Sequence, residues 1–121
     1  MNFIGYPSEL LKQRHLKMYY KLDENKNVTK SSLEEWSKFR KETFPINFLH
    51  IGDDKVNGKI ISAVFVGINF NPYIDIPIVF ETMVFYKGID IYQERYSTYK
   101  EAEKGHQRII QWVKNGCKED E

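Results

Sequence analysis

The sequence predicts an α+β domain, an antiparallel sheet of about four to five strands with two helices packed on it as a two-layer sandwich. Apolar runs of strand length recur at 59–68, 77–86 and 91–96, separated by polar turns. Short connections favour antiparallel neighbours, because a parallel pair needs a long crossover. Two other stretches carry helical spacing behind a capping box, and helices lying over one face of a sheet make a second layer.

Taken in order, Pro7-Ser8 followed by Glu9, Leu10 and Leu11 reads as a short helix start, with Ser8 as its cap. Residues 17–22, with Tyr19 and Tyr20, read as a short strand, and Asp23-Glu24-Asn25-Lys26-Asn27 as a turn. Ser32 stands three residues before Glu35, the capping-box spacing, and Leu33, Trp36 and Phe39 then form one apolar face. Pro45 bars continuation, so this helix is expected to end near Lys41 or Glu42.

Residues 44–51 read as a strand, with a turn around Gly52-Asp53-Asp54 leading to Asn57-Gly58. In 59–68, Ile60, Val64, Val66 and Ile68 fall on one face, with Ala63 and Phe65 on the other. Two apolar faces predict a central strand covered on both sides. Residues 69–77, with Pro72 and Pro77, form the longest irregular stretch; 77–86 is the next strand, and Lys87-Gly88-Ile89-Asp90 turns it into 91–96. Thr98 and Glu101 make a second capping box. Behind it Ala102, His106, Ile109 and Val113 share one helix face, closed by Asn115-Gly116. The whole reads as one domain over 1–115 with a polar tail at 116–121.

A chain of 121 residues buries enough surface to fold without a metal or disulfide staple. The formal charge of +1 gives no global attraction to nucleic acid or to a membrane surface, so neither is expected as a partner. The basic residues Lys12, Arg14, Lys17, Lys21, Lys26 and Lys30 are interrupted by acids and read as a solvated face. The single cysteine, Cys117, suits a reducing compartment, and no apolar run has the length of a membrane span or of a signal-peptide core, so the cytoplasm is expected. Eight Tyr, eight Phe and two Trp are more aromatic surface than one small core covers, which predicts self-association into a homo-oligomer.

No catalytic residue, metal site or cofactor is assigned: His15, His50 and His106 lack ligand spacing, and no phosphate-binding glycine loop is present. The residues that stand out are polar. Glu81 interrupts the apolar alternation of Val79, Met83 and Phe85, and a buried carboxylate needs a partner. Pairing Tyr86 with Ile91 sets Tyr96 opposite Glu81 and Arg95 opposite Thr82; a shift of one residue sets Arg95 opposite Glu81. Glu81, Thr82, Gln93, Arg95 and Tyr96 thus form a polar cluster, which reads either as an internal ion pair or as a ligand site. His106, behind Gly105, reads as a core histidine donating to a carbonyl or to Glu81, or as the polar floor of a pocket. Asn69, Phe70, Asn71 and Tyr73 combine rings and amides that suit a nucleobase. A pocket for an anionic, base-containing ligand is expected from Arg95, Tyr92, Tyr96 and Glu81 with this loop.

Phe80-Glu81-Thr82-Met83-Val84-Phe85, then Gln93-Glu94-Arg95-Tyr96-Ser97-Thr98, then Glu101-Ala102 and Gly105-His106, resemble a widespread family of small uncharacterised proteins of phage and prophage genomes. Its members read FETMVF, QxRYST and EAxxGH, and Ser32-Leu33-Glu34-Glu35-Trp36 is also similar. Members often carry Asp-His where this chain has Asn69-Phe70. The resemblance implies an accessory protein directed at the host. It implies one of three functions: a non-enzymatic sponge that sequesters a nucleotide immune signal such as a cyclic dinucleotide, an inhibitor that binds a host defence complex as anti-CRISPR proteins do, or a small hydrolase. The aromatic, near-neutral composition favours the sponge.

Overall fold

The computed structural model describes residues 19–43, 50–69 and 76–118. These described residues form two helices and six strands in two antiparallel sheets, an α+β arrangement. The expectations for residues 1–16 and 44–49, and for Phe70, Asn71 and Tyr73, lie outside the described residues.

Strands β1 (Tyr19–Leu22) and β2 (Val28–Ser31) form a two-stranded hairpin. Asp23 builds its turn: the Oδ1 atom accepts from the backbone N–H groups of Asn25 and Asn27, each at 2.8 Å, and Lys26 takes φ of 66°. β2 has no counterpart in the sequence reading, because Val-Thr-Lys-Ser carries too little apolar alternation to stand out. Helix α1 (Leu33–Thr43) begins with the expected capping box, Glu35 N–H to Ser32 Oγ at 3.0 Å and Ser32 N–H to Glu35 Oε1 at 3.1 Å. Its buried face is narrower than expected. Trp36 donates to the Val66 carbonyl and Phe39 meets Phe65 edge-on, whereas Leu33 is 52% exposed.

The main sheet has the order β3 (His50–Val56), β4 (Lys59–Phe65), β5 (Phe80–Tyr86), β6 (Ile89–Tyr96), all antiparallel. Two boundaries move. Gly52, Asp53 and Asp54 are strand rather than turn, because β3 is an edge strand whose ladder to β4 continues to Val56 paired with Lys59. Ile89 and Asp90 also belong to a strand. The turn is the two residues Lys87 and Gly88, at φ of 52° and 80°, and it pairs Tyr86 with Ile89. A bulge between Val84 and Phe85 then brings Glu81 opposite Arg95.

Helix α2 (Tyr99–Lys114) lies over one face of this sheet, behind the expected Thr98–Glu101 capping box. Ala102, His106, Ile109 and Val113 are buried, as their spacing predicts. From the sheet, Ile61, Ala63, Phe65, Phe80, Thr82 and Val84 face the helix and are fully buried. Among the described residues α2 covers one face of β4; on the other face Ile60 is 45% exposed, and Ser62 and Val64 are half-buried. One row across the helix-facing side is small or polar, with Gly52 paired to Ala63, Ala63 to Thr82 and Thr82 to Glu94. The aromatic cluster around Phe65, Phe80 and Tyr96 lies to one side of that row, and the aliphatic cluster of Ile61, Val84, Ile109, Ile110 and Val113 to the other. α2 lies close against the sheet at two glycines. A Cβ on Gly52 would strike the His106 ring, and a Cβ on Gly105 would strike the Tyr96 phenol.

Candidate functional site

Alternation along β6 divides the residues that the sequence singles out. Arg95 and Gln93 point to the face of the sheet opposite α2, with Glu81: Arg95 Nε donates to Glu81 Oε2 at 3.1 Å, and Arg95 Nη2 donates to Gln93 Oε1 at 3.0 Å. The Glu81 side chain is only 13% exposed, so the guanidinium supplies the partner its burial requires. Tyr92 and Tyr96 point to the helix side, where Thr82 is fully buried. The structure therefore brings Glu81, Gln93 and Arg95 together on one face, and Thr82, Tyr92 and Tyr96 on the other. It does not join the two sets in one pocket. Asn69 is buried, and its Oδ1 accepts from the Ile78 N–H at 3.0 Å, an internal brace for the entry to β5.

His106 is buried beneath Gly52, and its Nε2 lies 2.6 Å from Asp54 Oδ2. The expected partner Glu81 is excluded because it projects from the opposite face of the sheet. The Nδ1 atom is buried with no partner among the described residues.

On the helix side the sequence missed the group that organises everything around it. The Glu94 carboxylate accepts from the Tyr92 hydroxyl at 2.6 Å, the Tyr96 hydroxyl at 2.9 Å, Arg108 Nη1 at 3.2 Å and Arg108 Nη2. The Arg108 bonds, then burial acting against them and the tyrosine hydroxyls acting with them, set the Glu94 pKa at about 2. The same contact raises Arg108 further above its ordinary value. Burial, with the Glu94 charge behind it, pushes the Tyr96 phenol up to about 12. Glu94 and Arg108 are 14 residues apart, on a strand and on a helix. No spacing rule pairs such positions; the only signal is that Glu94 shares a strand face with two tyrosines.

Arg108 and Tyr92, held by this carboxylate, line a cleft of about 310 Å³ between β6 and the second half of α2, together with Ile109, Gln111, Trp112, Asn115 and Lys118. The Tyr92 and Trp112 rings pack at 4.9 Å between centroids, tilted by 46°. The indole N–H of Trp112 is buried without an acceptor among the described residues. The cleft thus offers flat aromatic surface, two cations and two side-chain amides.

A larger cleft of about 630 Å³ lies between the β1–β2 turn and the start of α2, and Lys26 stands 4.6 Å over the Tyr99 ring on its wall. The carboxylate of Glu103 shares that wall with Lys26 and Lys100. Among the described residues no group of three His, Cys, Asp or Glu side chains could hold a metal ion, and no helix is long and apolar enough to cross a membrane. Comparisons with protein-family models, with curated proteins and with solved structures found no match to this chain.

Proposed function

We propose that the protein binds a small nucleotide in the Tyr92–Trp112 cleft and sequesters it unchanged, as a phage-type accessory protein in the cytoplasm that removes a host nucleotide signal. The observation carrying this is the composition of the cleft: two aromatic rings in contact, the cations Arg108 and Lys118, and the amides Gln111 and Asn115 on one wall system. Bases stack on aromatic faces at about 1–3 kcal/mol each. An amide side chain donates and accepts, as a base edge requires, and a guanidinium or ammonium holds a phosphate. The cleft volume is near the lower end of the ~300–1,000 Å³ typical of ligand sites, which suits one nucleotide unit. Of the residues expected from the sequence to bind the ligand, Tyr92 lines this cleft, and Arg108 takes the part expected of Arg95.

Titration calorimetry with cyclic and linear nucleotides tests this. Micromolar binding is expected, weakened at least tenfold (about 1.4 kcal/mol) in Tyr92→Ala. Ligand recovered after denaturing the complex should be chemically unchanged; turnover would instead make the protein a hydrolase. A second function, inhibition through direct contact with a host protein, is favoured by the sheet face opposite α2, where Ile60 and Ile91 are 45% and 46% exposed toward the other end of the strands from the Glu81–Arg95 pair. Co-purification with a host protein that is lost in Ile60→Glu would support it.

A further inference from the structure

Among the described residues β6 is the last strand of the main sheet, with β5 on one side and no strand on the other. We infer that this edge receives β6 of a second copy of the chain, antiparallel about a two-fold axis through Gln93, and joins two four-stranded sheets into one. An edge strand leaves every other backbone N–H and C=O without a strand partner, and folded proteins guard such edges with charge, lysine, proline or bulges. The opposite edge, β3, is guarded. Its ladder breaks between His50 and Gly52, and Asp53, Asp54 and Lys55 follow in succession. β6 holds neither lysine nor proline. Its one irregularity is Ile91, the extra residue opposite Phe85, and residues 92–96 pair in step with residues 80–84. Both charges in that run are turned to partners within the chain, Glu94 to Arg108 and Arg95 to Glu81. Ile91 and Tyr92, where the run begins, are 46% and 37% exposed.

Pairing of a strand with its own copy is self-complementary, and the side chains of β6 select the register. With the axis through Gln93, Ile91 lies opposite Arg95 of the second copy, and Tyr92 opposite Glu94 of the second copy. No like charges then stand directly across from each other. The axis through Glu94 would set two carboxylates opposite, which destabilises a strand pair. The axis through Tyr92 would set residues 93–96 against the bulge and turn at 88–91, where the strand is no longer regular. At the Gln93 axis the two amides meet on the sheet face opposite α2. Gln93 Oε1 accepts from Arg95, whereas its amide N–H groups have no acceptor among the described residues. A carbonyl oxygen has a second lone pair, so each Gln93 can donate to the other across the axis. Opposite residues of an antiparallel pair share a face, so both copies carry α2 on the same side of the joined sheet. The two clefts between β6 and α2 then flank the axis on that side.

Sedimentation equilibrium and cysteine cross-linking on the full chain test this without any nucleotide, so the outcome is separate from that of the nucleotide cleft. The parent chain is expected to dimerise at micromolar concentration. Gln93→Lys sets two ammonium groups against each other across the axis and should weaken the dimer by about tenfold or more. Asp53→Lys, on the β3 edge, should leave it unchanged. Cβ atoms directly opposite in an antiparallel pair stand about 4.5–5.5 Å apart, close to the reach of a disulfide. Gln93→Cys in a Cys117→Ser background is therefore expected to oxidise to a covalent dimer, and Asp53→Cys in the same background to stay monomeric under denaturing, non-reducing conditions. If circular dichroism shows the Gln93→Lys chain unfolded, the cross-link decides alone. A parent chain that is monomeric at micromolar concentration overturns the inference. So does a dimer in which Gln93→Cys fails to cross-link, or one that a folded Gln93→Lys chain forms as tightly as the parent.

Discussion

Glu94 accepts four hydrogen bonds from three side chains, and that arrangement sets how stability responds to acid. Its pKa is lowered from the ordinary 4.5 to about 2 in the folded chain, so the unfolded chain takes up the proton first. The stabilisation is complete above about pH 5 and is lost as pH falls toward 2, which acid titration of the urea midpoint should show, with a flatter profile in Glu94→Gln. Tyr96 has the opposite sense. Its pKa is raised from 10.0 to about 12, so its contribution is present below pH 10 and is lost as pH rises to 12. An alkaline transition that disappears in Tyr96→Phe would confirm this; one that persists would assign it elsewhere. Part of this scale was legible in the sequence. Glu81 interrupts an apolar alternation and so demanded a partner, and a one-residue shift supplied Arg95. The Asp54–His106 and Glu94–Arg108 contacts were not legible, because each depends on where α2 crosses the sheet. Arg95→Ala tests the wall chosen from sequence: a tenfold loss of nucleotide binding there, with none in Tyr92→Ala, would place the ligand on the face opposite α2.

Both helices were readable because their starts are chemical signals, Ser32 with Glu35 and Thr98 with Glu101, and both boxes are formed. Thr98→Ala should cost about 1 kcal/mol by urea unfolding. Strand boundaries were less readable. The polar run Gly52-Asp53-Asp54 looks like a turn, yet an edge strand tolerates charge, and Gly52 is needed where His106 lies against the backbone. Gly105 offers a test of close packing against helix propensity. Replacing it with Ala gains about 1 kcal/mol of propensity. The new Cβ would overlap the Tyr96 phenol and displace it, and overpacking typically costs about 1–3 kcal/mol. Net destabilisation of Gly105→Ala is expected; a more stable variant would show that α2 can lift off the sheet freely. Ile109→Ala, in the aliphatic cluster, should cost about 2–5 kcal/mol, and a loss below half a kcal/mol would place that face outside the core.

At the level of the whole molecule, short connections and antiparallel order were visible in the chain, but the sides of the sheet were not. Apolar residues on both faces of β4 suggested cover on both, whereas α2 covers one. The exposed apolar residues, Ile60 and Ile91 on the face opposite α2 and Tyr86 with Ile89 at the end of the β5–β6 hairpin, bear on the expected self-association. Light scattering at micromolar concentration should report a dimer or larger, reduced to a monomer by charged substitutions at Ile60 and Ile91; a clean monomer in the parent chain would contradict it. The central claim, a nucleotide cleft between β6 and α2, is most directly tested by nitrogen–proton correlation spectra of the full chain titrated with 3′,5′-cyclic AMP and cyclic GMP. The chain has two tryptophans, so the indole signal of Trp112 is assigned by a single Trp36→Phe variant. Saturable shifts of the Trp112 indole and of the Tyr92, Arg108 and Gln111 amides are predicted. Spectra unchanged at millimolar nucleotide, or shifts confined to Glu81, Gln93 and Arg95, would contradict it.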